Sequence, residues 1–289
     1  MTATPTPTLP TTPARRMNPW RLELLRLTRS RSGLALAATY LAFGLIGPVL
    51  AKYLPDLVKY AQSGVTITML PPTPKDGVAE YVRQVDQIGL IVLVTVAAGA
   101  LAFDAHPGLS IFMRSRTRSI WHLVLPRSIV VSLGAVIAYT VGTLIVWYET
   151  ALLIGAPPAG PMLAGIAYGC LYLAFAVAVT TLAASLARST LGTIGIALAT
   201  LLLLPIAGLV PAVHDWLPST LATAPVDLLD TAAASHYLGA AGVSVALTTA
   251  LVALAGTRLR PRTLTDADGP PCAHGLLDRS RGDQAIRIA

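Results

Sequence analysis

The sequence has 289 residues, of which 54% are hydrophobic and 12% charged, whereas soluble domains carry about 25% charged residues. A soluble protein of this composition could not cover its surface with polar groups, so the apolar residues are expected to face lipid. A formal net charge of +7 would favour nucleic-acid binding in a soluble protein. Here the basic residues are distributed by side of a membrane, and we predict no nucleic-acid partner.

The chain begins with a Thr- and Pro-rich tail, residues 1–17, which is expected to be disordered. Residues 18–32 are predicted to form an amphipathic helix that lies on the cytoplasmic leaflet as an interfacial helix. Its apolar face carries Trp20, Leu24 and Leu27, and its arginines lie elsewhere on the helix. The alternative is an ordinary basic segment in front of the first membrane span.

A transmembrane domain is predicted over residues 33–263, because this part of the chain holds six apolar runs that approach the ~20 residues needed to cross a bilayer. The runs cover 33–54, 88–103, 128–148, 161–186, 191–210 and 237–256. The second run is short, but apolar residues at helical spacing from Val78 onward indicate that its helix begins outside the membrane and runs in. The predicted fold is therefore all-α, a polytopic membrane protein with six transmembrane helices.

The positions of lysine and arginine predict the orientation of these helices. Most of the 21 basic residues lie in the two tails and in the loop between spans two and three, and the outer segment 211–236 has none. Because cytoplasmic loops are enriched in Lys and Arg, both ends are predicted to be cytoplasmic, in a multi-pass protein of the cell membrane. The tail 264–289 is expected to be disordered. Cys170, in a span, and Cys272, in this tail, are not expected to form a disulfide.

Two outer segments are too long to be simple turns. Residues 55–87 contain a β-prone stretch and then a Pro-rich turn. Residues 211–236 contain short apolar stretches that prolines separate, and such pieces often dip into the membrane or lie on it. We expect helical structure in these segments, with a plain surface loop as the alternative.

Several kinds of chemistry are absent from the apolar runs. None has an Asp, Glu, Lys, Arg or His in its middle, which argues against a secondary carrier coupled to ions or protons. The five histidines lie in loops and tails on both sides, so no metal site is expected. The sequence has no GxxxxGK[ST] phosphate loop. The chain is therefore not expected to be an enzyme, and ATP-driven work would need another subunit.

Small and hydroxyl-bearing residues within the spans allow helices to pack closely. Gly165 and Gly169 form a GxxxG pattern, for which packing within the chain is favoured over dimerisation. Six polar residues either line a transport pathway or form hydrogen bonds between helices, and the sequence leaves both alternatives open. They are Tyr139, Thr140, Thr143, Tyr168, Tyr172 and Thr200.

The loop between spans two and three has the most specific pattern. Asp104 ends the second span, Pro107 and Gly108 turn the chain, and the apolar stretch Leu109–Met113 precedes a group of arginines. An apolar knob on a basic segment parallel to the membrane would fit a groove in a cytoplasmic ATPase. The alternative is a basic loop that only sets topology.

On these features the chain resembles the six-span permeases of type-2 ABC exporters, which have the type V exporter fold. The resemblance covers residues 18–263. It rests on a Glu-Leu pair beginning at Glu23, on Asp104 and Gly108 at the start of the coupling loop, on the outer segment 211–236 and on the basic tail after the last span. Where the family commonly has Glu, this chain has Asp104.

The resemblance implies ATP-driven export of an amphiphilic substrate, such as a drug, a peptide or a lipid-like molecule. It implies two copies of a separate ABC ATPase subunit that bind ATP and Mg²⁺, no cofactor on this chain, and a second permease that is a copy or a related chain. The residues that it implies for contact with the ATPase are Asp104, Gly108, Leu109, Ile111, Phe112, Arg114, Arg116, Arg118, Trp20, Arg21, Leu24 and Arg26. The alternative function is a non-transport membrane scaffold or assembly factor.

Overall fold

The computed structural model describes residues 19–61, 71–101, 121–187, 189–230 and 232–259. Regular structure in these ranges is helical throughout. The helices are α1 (Pro19–Arg29), α2 (Arg31–Ala61), α3 (Pro74–Gln84), α4 (Leu90–Leu101), α5 (Trp121–Leu153), α6 (Ala159–Leu186), α7 (Thr190–Ala207), α8 (Pro211–His214), α9 (Thr220–Asp227) and α10 (Leu238–Leu259). A π-helical turn, Val85–Gly89, joins α3 to α4, and a 3₁₀ turn, Ala234–Tyr237, leads into α10.

Six helical stretches in the described ranges are long and apolar enough to cross a membrane, which confirms the predicted all-α fold with six transmembrane helices. The stretches are Arg31–Asp56, Pro74–Leu101, Val124–Leu153, Ala159–Leu186, Thr190–Ala207 and Ala234–Arg258. The predicted tails 1–17 and 264–289, which include Cys272, lie outside the described residues, as do residues 62–70 of the first outer segment and the loop 102–120.

The second span is longer than the apolar run from which it was predicted. It begins at Pro74, where the Asp76 carboxylate accepts a hydrogen bond of 2.7 Å from the backbone N–H of Thr73, an arrangement that caps helix N-termini. The helix continues through the π-helical turn to Leu101. Asp86 therefore belongs to a helix of membrane-spanning length, as the helical spacing from Val78 indicated, although the sequence analysis placed this part of the helix outside the membrane.

The core lies where α2, α3, α4, α5 and α6 meet. The approach of α2 to α5 is close, since a Cβ atom on Gly44 would stand 2.8 Å from the carbonyl oxygen of Gly142. Helix α1 packs across the ends of α2 and α5 that are predicted to be cytoplasmic. Helices α7 and α10 lie at the edge of the bundle and expose most of their apolar side chains. Lipid or another chain would cover these two helices.

The outer segment 211–236 is largely helical in the structure, as the sequence analysis expected. Helix α9 packs against α3 and α6, and its Leu221 and Ala224 side chains are fully buried. Lys75 and Asp230 form an ion pair of 2.7 Å between the first turn of α3 and the chain that follows α9. The segment is thus part of the bundle rather than a loop that stands away from it.

The GxxxG pattern of α6 serves packing within the chain. A Cβ atom on Gly165 would stand 2.7 Å from the Cα atom of Pro225 in α9, and one on Gly169 would meet the ring of Tyr139 in α5. Two neighbouring elements therefore occupy the groove that the glycines open. This agrees with the expectation that the pattern is not a dimerisation motif.

The predicted orientation can be tested with cysteine labelling. Ala156 is exposed in the turn between α5 and α6, on the side that the positive-inside rule assigns to the exterior. In the Ala156→Cys, Cys272→Ser double variant, a membrane-impermeant maleimide should label intact cells. The wild type should be labelled at Cys272 only after permeabilisation. The Cys272→Ser variant, which keeps only the half-buried Cys170, is the control. If intact cells are labelled at Cys272 but not at position 156, the predicted orientation is wrong.

Candidate functional site

The N-terminal helix is attached to the bundle by a buried ion pair. The guanidinium Nε of Arg127, near the start of α5, donates to a carboxylate oxygen of Glu23 in α1 at 2.7 Å. The Arg127 side chain is only 8% exposed and that of Glu23 only 19%. Arg26 also approaches Glu23, at 3.8 Å, but it is 55% exposed, and exposed pairs of this kind contribute little. The buried contact therefore fixes the position of α1.

Arg127 contacts the second span as well. One of its terminal nitrogens donates to the backbone carbonyl of Ala100, in the last turn of α4, at 3.4 Å. The last carbonyls of a helix have no partner within the helix, and a basic side chain can satisfy them. Because the loop 102–120 connects α4 to α5, this one guanidinium joins α1 to both helices that bound the loop. A small cavity of about 70 Å³ lies among these elements, lined in part by Glu23, Ser30 and Arg127.

The predicted ATPase-contacting residues of α1 lie on its surface. Trp20, Arg21, Leu24 and Arg26 are all exposed. Leu27, which the sequence analysis placed on the same apolar face as Trp20 and Leu24, packs inward against α5 beside Gly134. The inward side of α1 is therefore centred on Glu23 and Leu27, which are four residues apart and share one side of a helix. The apolar face predicted for this helix is divided between the bundle and the surface.

The other predicted ATPase-contacting residues lie outside the described residues. They are Asp104, Gly108, Leu109, Ile111, Phe112, Arg114, Arg116 and Arg118.

Three of the candidate pathway residues meet in a buried cluster at the centre of the bundle. Tyr139, Thr143 and Tyr172 are almost fully buried. The Thr143 hydroxyl donates to the Tyr139 carbonyl at 2.9 Å, and the Tyr139 ring stacks on that of Tyr81 with centroids 6.2 Å apart. The Tyr81 hydroxyl also donates to the Tyr139 carbonyl at 3.4 Å, so these contacts join α3 to α5. They support the hydrogen-bonding interpretation for Tyr139 and Thr143, whereas Tyr172 of α6 only lines a small cavity together with Tyr139.

The remaining candidate pathway residues are placed differently. Thr140, in α5, lies 3.5 Å from the thiol of Cys170 in α6. The Tyr168 hydroxyl donates to the Ala234 carbonyl at 2.7 Å, close to the start of the sixth span. Thr200 is exposed on α7 and donates to a carbonyl of its own helix, that of Ile196, at 2.8 Å. The structure therefore does not bring all six residues to one surface.

Two features were missed by the sequence analysis. Arg127 was counted only as one of the basic residues that set topology, and its partner Glu23 lies 104 residues away in the chain. No local pattern pairs two residues at that separation. Asp86 was assigned to an outer segment because the apolar run begins two residues later, at Ile88. Helical spacing from Val78 onward did place Asp86 on the helix that leads into the second span, but in a part of it expected to lie outside the membrane.

Comparison of the chain with protein-family models, with curated proteins and with solved structures finds no match. The class of this protein is therefore defined by its fold alone. The chain is an all-α protein of the multi-pass membrane class, with an N-terminal helix that packs across the ends of its first and third spans and is held to the third by an ion pair.

Proposed function

We propose that this chain is the permease subunit of an ATP-driven ABC exporter and moves an amphiphilic substrate out of the cell. Two copies of a separate ATPase subunit would bind ATP and Mg²⁺. A second permease, either a copy of this chain or a related one, would complete the pathway. The proposal rests first on the resemblance in layout and in the loop between spans two and three.

The observation that carries the proposal furthest is the contact of Arg127 with both Glu23 and Ala100. An ATPase that pushes on the loop 102–120 must move α4 and α5, the two helices that this loop connects. In this protein the guanidinium joins those ends to α1, so the three elements can move as one unit. The exposed side chains of Trp20 and Leu24 give α1 an apolar surface of its own next to that unit, and the ATPase would contact this surface together with the loop.

Export also needs helices that can separate from one another. Helices α7 and α10 belong to the least buried of the six membrane-length stretches in the described part of the chain, and they would contact a second permease or lipid. The substrate class follows from the largely apolar spans, because a polar substrate would meet few hydrogen-bonding groups along them.

Affinity purification of the full chain from its own cells tests the proposal. We expect an ATPase with a phosphate loop to co-purify. Replacing Ile111 and Phe112 together with Asp should lower the ATPase rate of the complex at least tenfold, because the charged side chains could not enter an apolar groove. The rate is measured as phosphate release by the complex in lipid nanodiscs, with equal ATPase content.

The matched control is the Leu209→Asp, Val210→Asp double variant, which introduces the same two charges at exposed apolar positions beyond the C-terminal end of α7. This variant should still bind the ATPase, and the ATPase rate of the complex should be unchanged. If no ATPase co-purifies, and the Ile111→Asp, Phe112→Asp variant behaves as the control does, the chain is not an exporter permease. A scaffold or assembly factor would then be recognised by the other membrane proteins that co-purify.

A further inference from the structure

A groove lies between two membrane-length helices that pack on the same third helix. Helices α5 and α10 both pack against α6, but they have little contact with each other. The space between them, which we call the α5–α10 groove, is a cavity of about 600 Å³. Its floor consists of small residues of α6 such as Ala174 and Ala178. In the α5 wall, Ile129 and Leu133 are 43% and 48% exposed, so the groove is open along its side.

The groove covers the half of the membrane that is predicted to be cytoplasmic. On α5 its lining extends from Leu125, at the start of the third span, to Val136. On α10 the lining extends from Thr248 to Ala253, in the last part of the sixth span. The step from Leu125 to Val136 corresponds to about 16 Å of α-helix, and one leaflet contributes about 15 Å to the hydrocarbon core of a bilayer. The groove is therefore about as long as the acyl chains of the inner leaflet.

The lining of the groove offers little to a polar ligand. Among the described residues that line it, none is charged. The hydroxyls of Ser128 and Thr249 donate to carbonyls of their own helices at 3.1 Å, and the hydroxyl of Thr248 is buried without a partner. Water, an ion or a sugar would gain few hydrogen bonds here. A hydrocarbon chain needs none, and it supplies the dispersion contacts that the walls of an empty groove would lack.

The size of the groove distinguishes a lipid chain from another protein helix. A helix with a diameter of about 10 Å would occupy roughly 1,300 Å³ over a length of about 16 Å, which is about twice the volume of the groove. The cavity of about 600 Å³ instead lies in the range of small-molecule sites, about 300–1,000 Å³. A helix of a second permease would therefore only cover the groove from outside, whereas a single flexible chain can enter it and reach the small residues of α6.

We propose that the α5–α10 groove binds one acyl chain of a phospholipid from the inner leaflet. The chain lies along the groove, with its ester end near Leu125 and Ala253 and its terminal methyl group near Val136 and Thr248. It contacts both α5 and α10, and so joins the third and sixth spans, which have little contact of their own. The site requires no ATPase, so its presence or absence is independent of the proposed function.

Photo-crosslinking of the full chain tests the site. The protein is reconstituted with a phosphatidylethanolamine that carries a diazirine on one acyl chain. It is then extracted into a mild detergent, which replaces loosely held lipid before irradiation, and the cross-linked residues are identified by mass spectrometry. A chain bound in the groove should stay through the extraction, because it dissociates more slowly than lipid at an ordinary protein surface.

The wild type contains its own matched comparison. Ile129 in the groove and Ile196 on α7 are 43% and 40% exposed, and both lie near the start of a span whose first residue is predicted to be cytoplasmic. An ordinary lipid-facing surface would label the two isoleucines alike. We expect about tenfold more label at Ile129 after extraction, as for a difference in binding of about 1.4 kcal/mol. Equal labelling, or no label at either residue, overturns the proposal.

The position of the diazirine and two variants locate the chain. A diazirine near the terminal methyl group should label Val136, and one near the ester should label Leu125; the reverse order would contradict the inner-leaflet assignment. Ala253→Phe places a ring in the groove and should reduce the label at Ile129 about fivefold or more. Ala250→Phe adds the same ring at another exposed position of α10, outside the groove, and should leave the label unchanged. Equal yields in the two variants would contradict the proposal, and should Ala253→Phe not fold, the comparison within the wild type decides.

Discussion

The Arg127→Met variant is expected to lose about 3–5 kcal/mol of stability, the usual result of removing one partner from a buried ion pair. Methionine keeps most of the apolar contacts of the arginine stem, so the loss reports the charge rather than a cavity. Glu23, only 19% exposed, is left without its close partner, and the Ala100 carbonyl loses its donor. The measurement is the midpoint of chemical or thermal unfolding in nanodiscs.

The Glu23→Gln, Arg127→Met double variant separates the charge effect from general damage. If the ion pair is the main contact, the double variant should recover a large part of the stability that Arg127→Met loses, because no uncompensated charge remains. Arg26→Met is the matched control, since Arg26 approaches the same carboxylate from an exposed position, and it should change stability by less than about 1 kcal/mol. Equal losses in Arg26→Met and Arg127→Met would show that the buried contact does not hold α1.

Within the proposed function, the same variant should uncouple the ATPase. Freed from Arg127, α1 would no longer move with the ends of α4 and α5. Under conditions where the variant is still folded, we expect the ATPase to remain bound through the loop while transport falls more than ATP hydrolysis. Transport is followed with a fluorescent amphiphile that the wild type exports.

The six helices could be predicted from the sequence because each is encoded locally. A bilayer imposes a minimum length on an apolar run, and the positive-inside rule then supplies an orientation. The contact between Glu23 and Arg127 could not be predicted, because a pair that lies 104 residues apart leaves no periodic pattern. Asp86 shows a third case. Helical spacing from Val78 indicated the helix that carries it, but the short apolar run from Ile88 placed that part of the helix outside the membrane. The π-helical turn also alters which side of the helix each later residue occupies.

The glycines show the same limit, that a contact between distant parts of the chain leaves no pattern in the sequence. The GxxxG of Gly165 and Gly169 could be recognised by its spacing, and the structure shows the close contacts that such spacing allows. Gly44 and Gly142, which bring α2 and α5 together, belong to different helices and form no motif in the sequence. Only the packed bundle reveals that they face each other. Small residues are used at such crossings because they let two backbones approach.

The Gly142→Ala variant is expected to destabilise the bundle by about 1–3 kcal/mol, the usual result of forcing extra atoms into a packed core. The new methyl group would stand 2.8 Å from the carbonyl oxygen of Tyr40 and 2.7 Å from the hydroxyl of Tyr81. The first obstacle is backbone, so α2 and α5 must move apart.

The matched control for this substitution is Gly195→Ala. A Cβ atom on Gly195, in α7, would meet nothing within 4 Å, and alanine is favoured over glycine in helix interiors by about 1 kcal/mol. This control should therefore be neutral or slightly stabilising in the same unfolding measurement. If Gly142→Ala is as stable as Gly195→Ala, the close crossing of α2 and α5 is wrong.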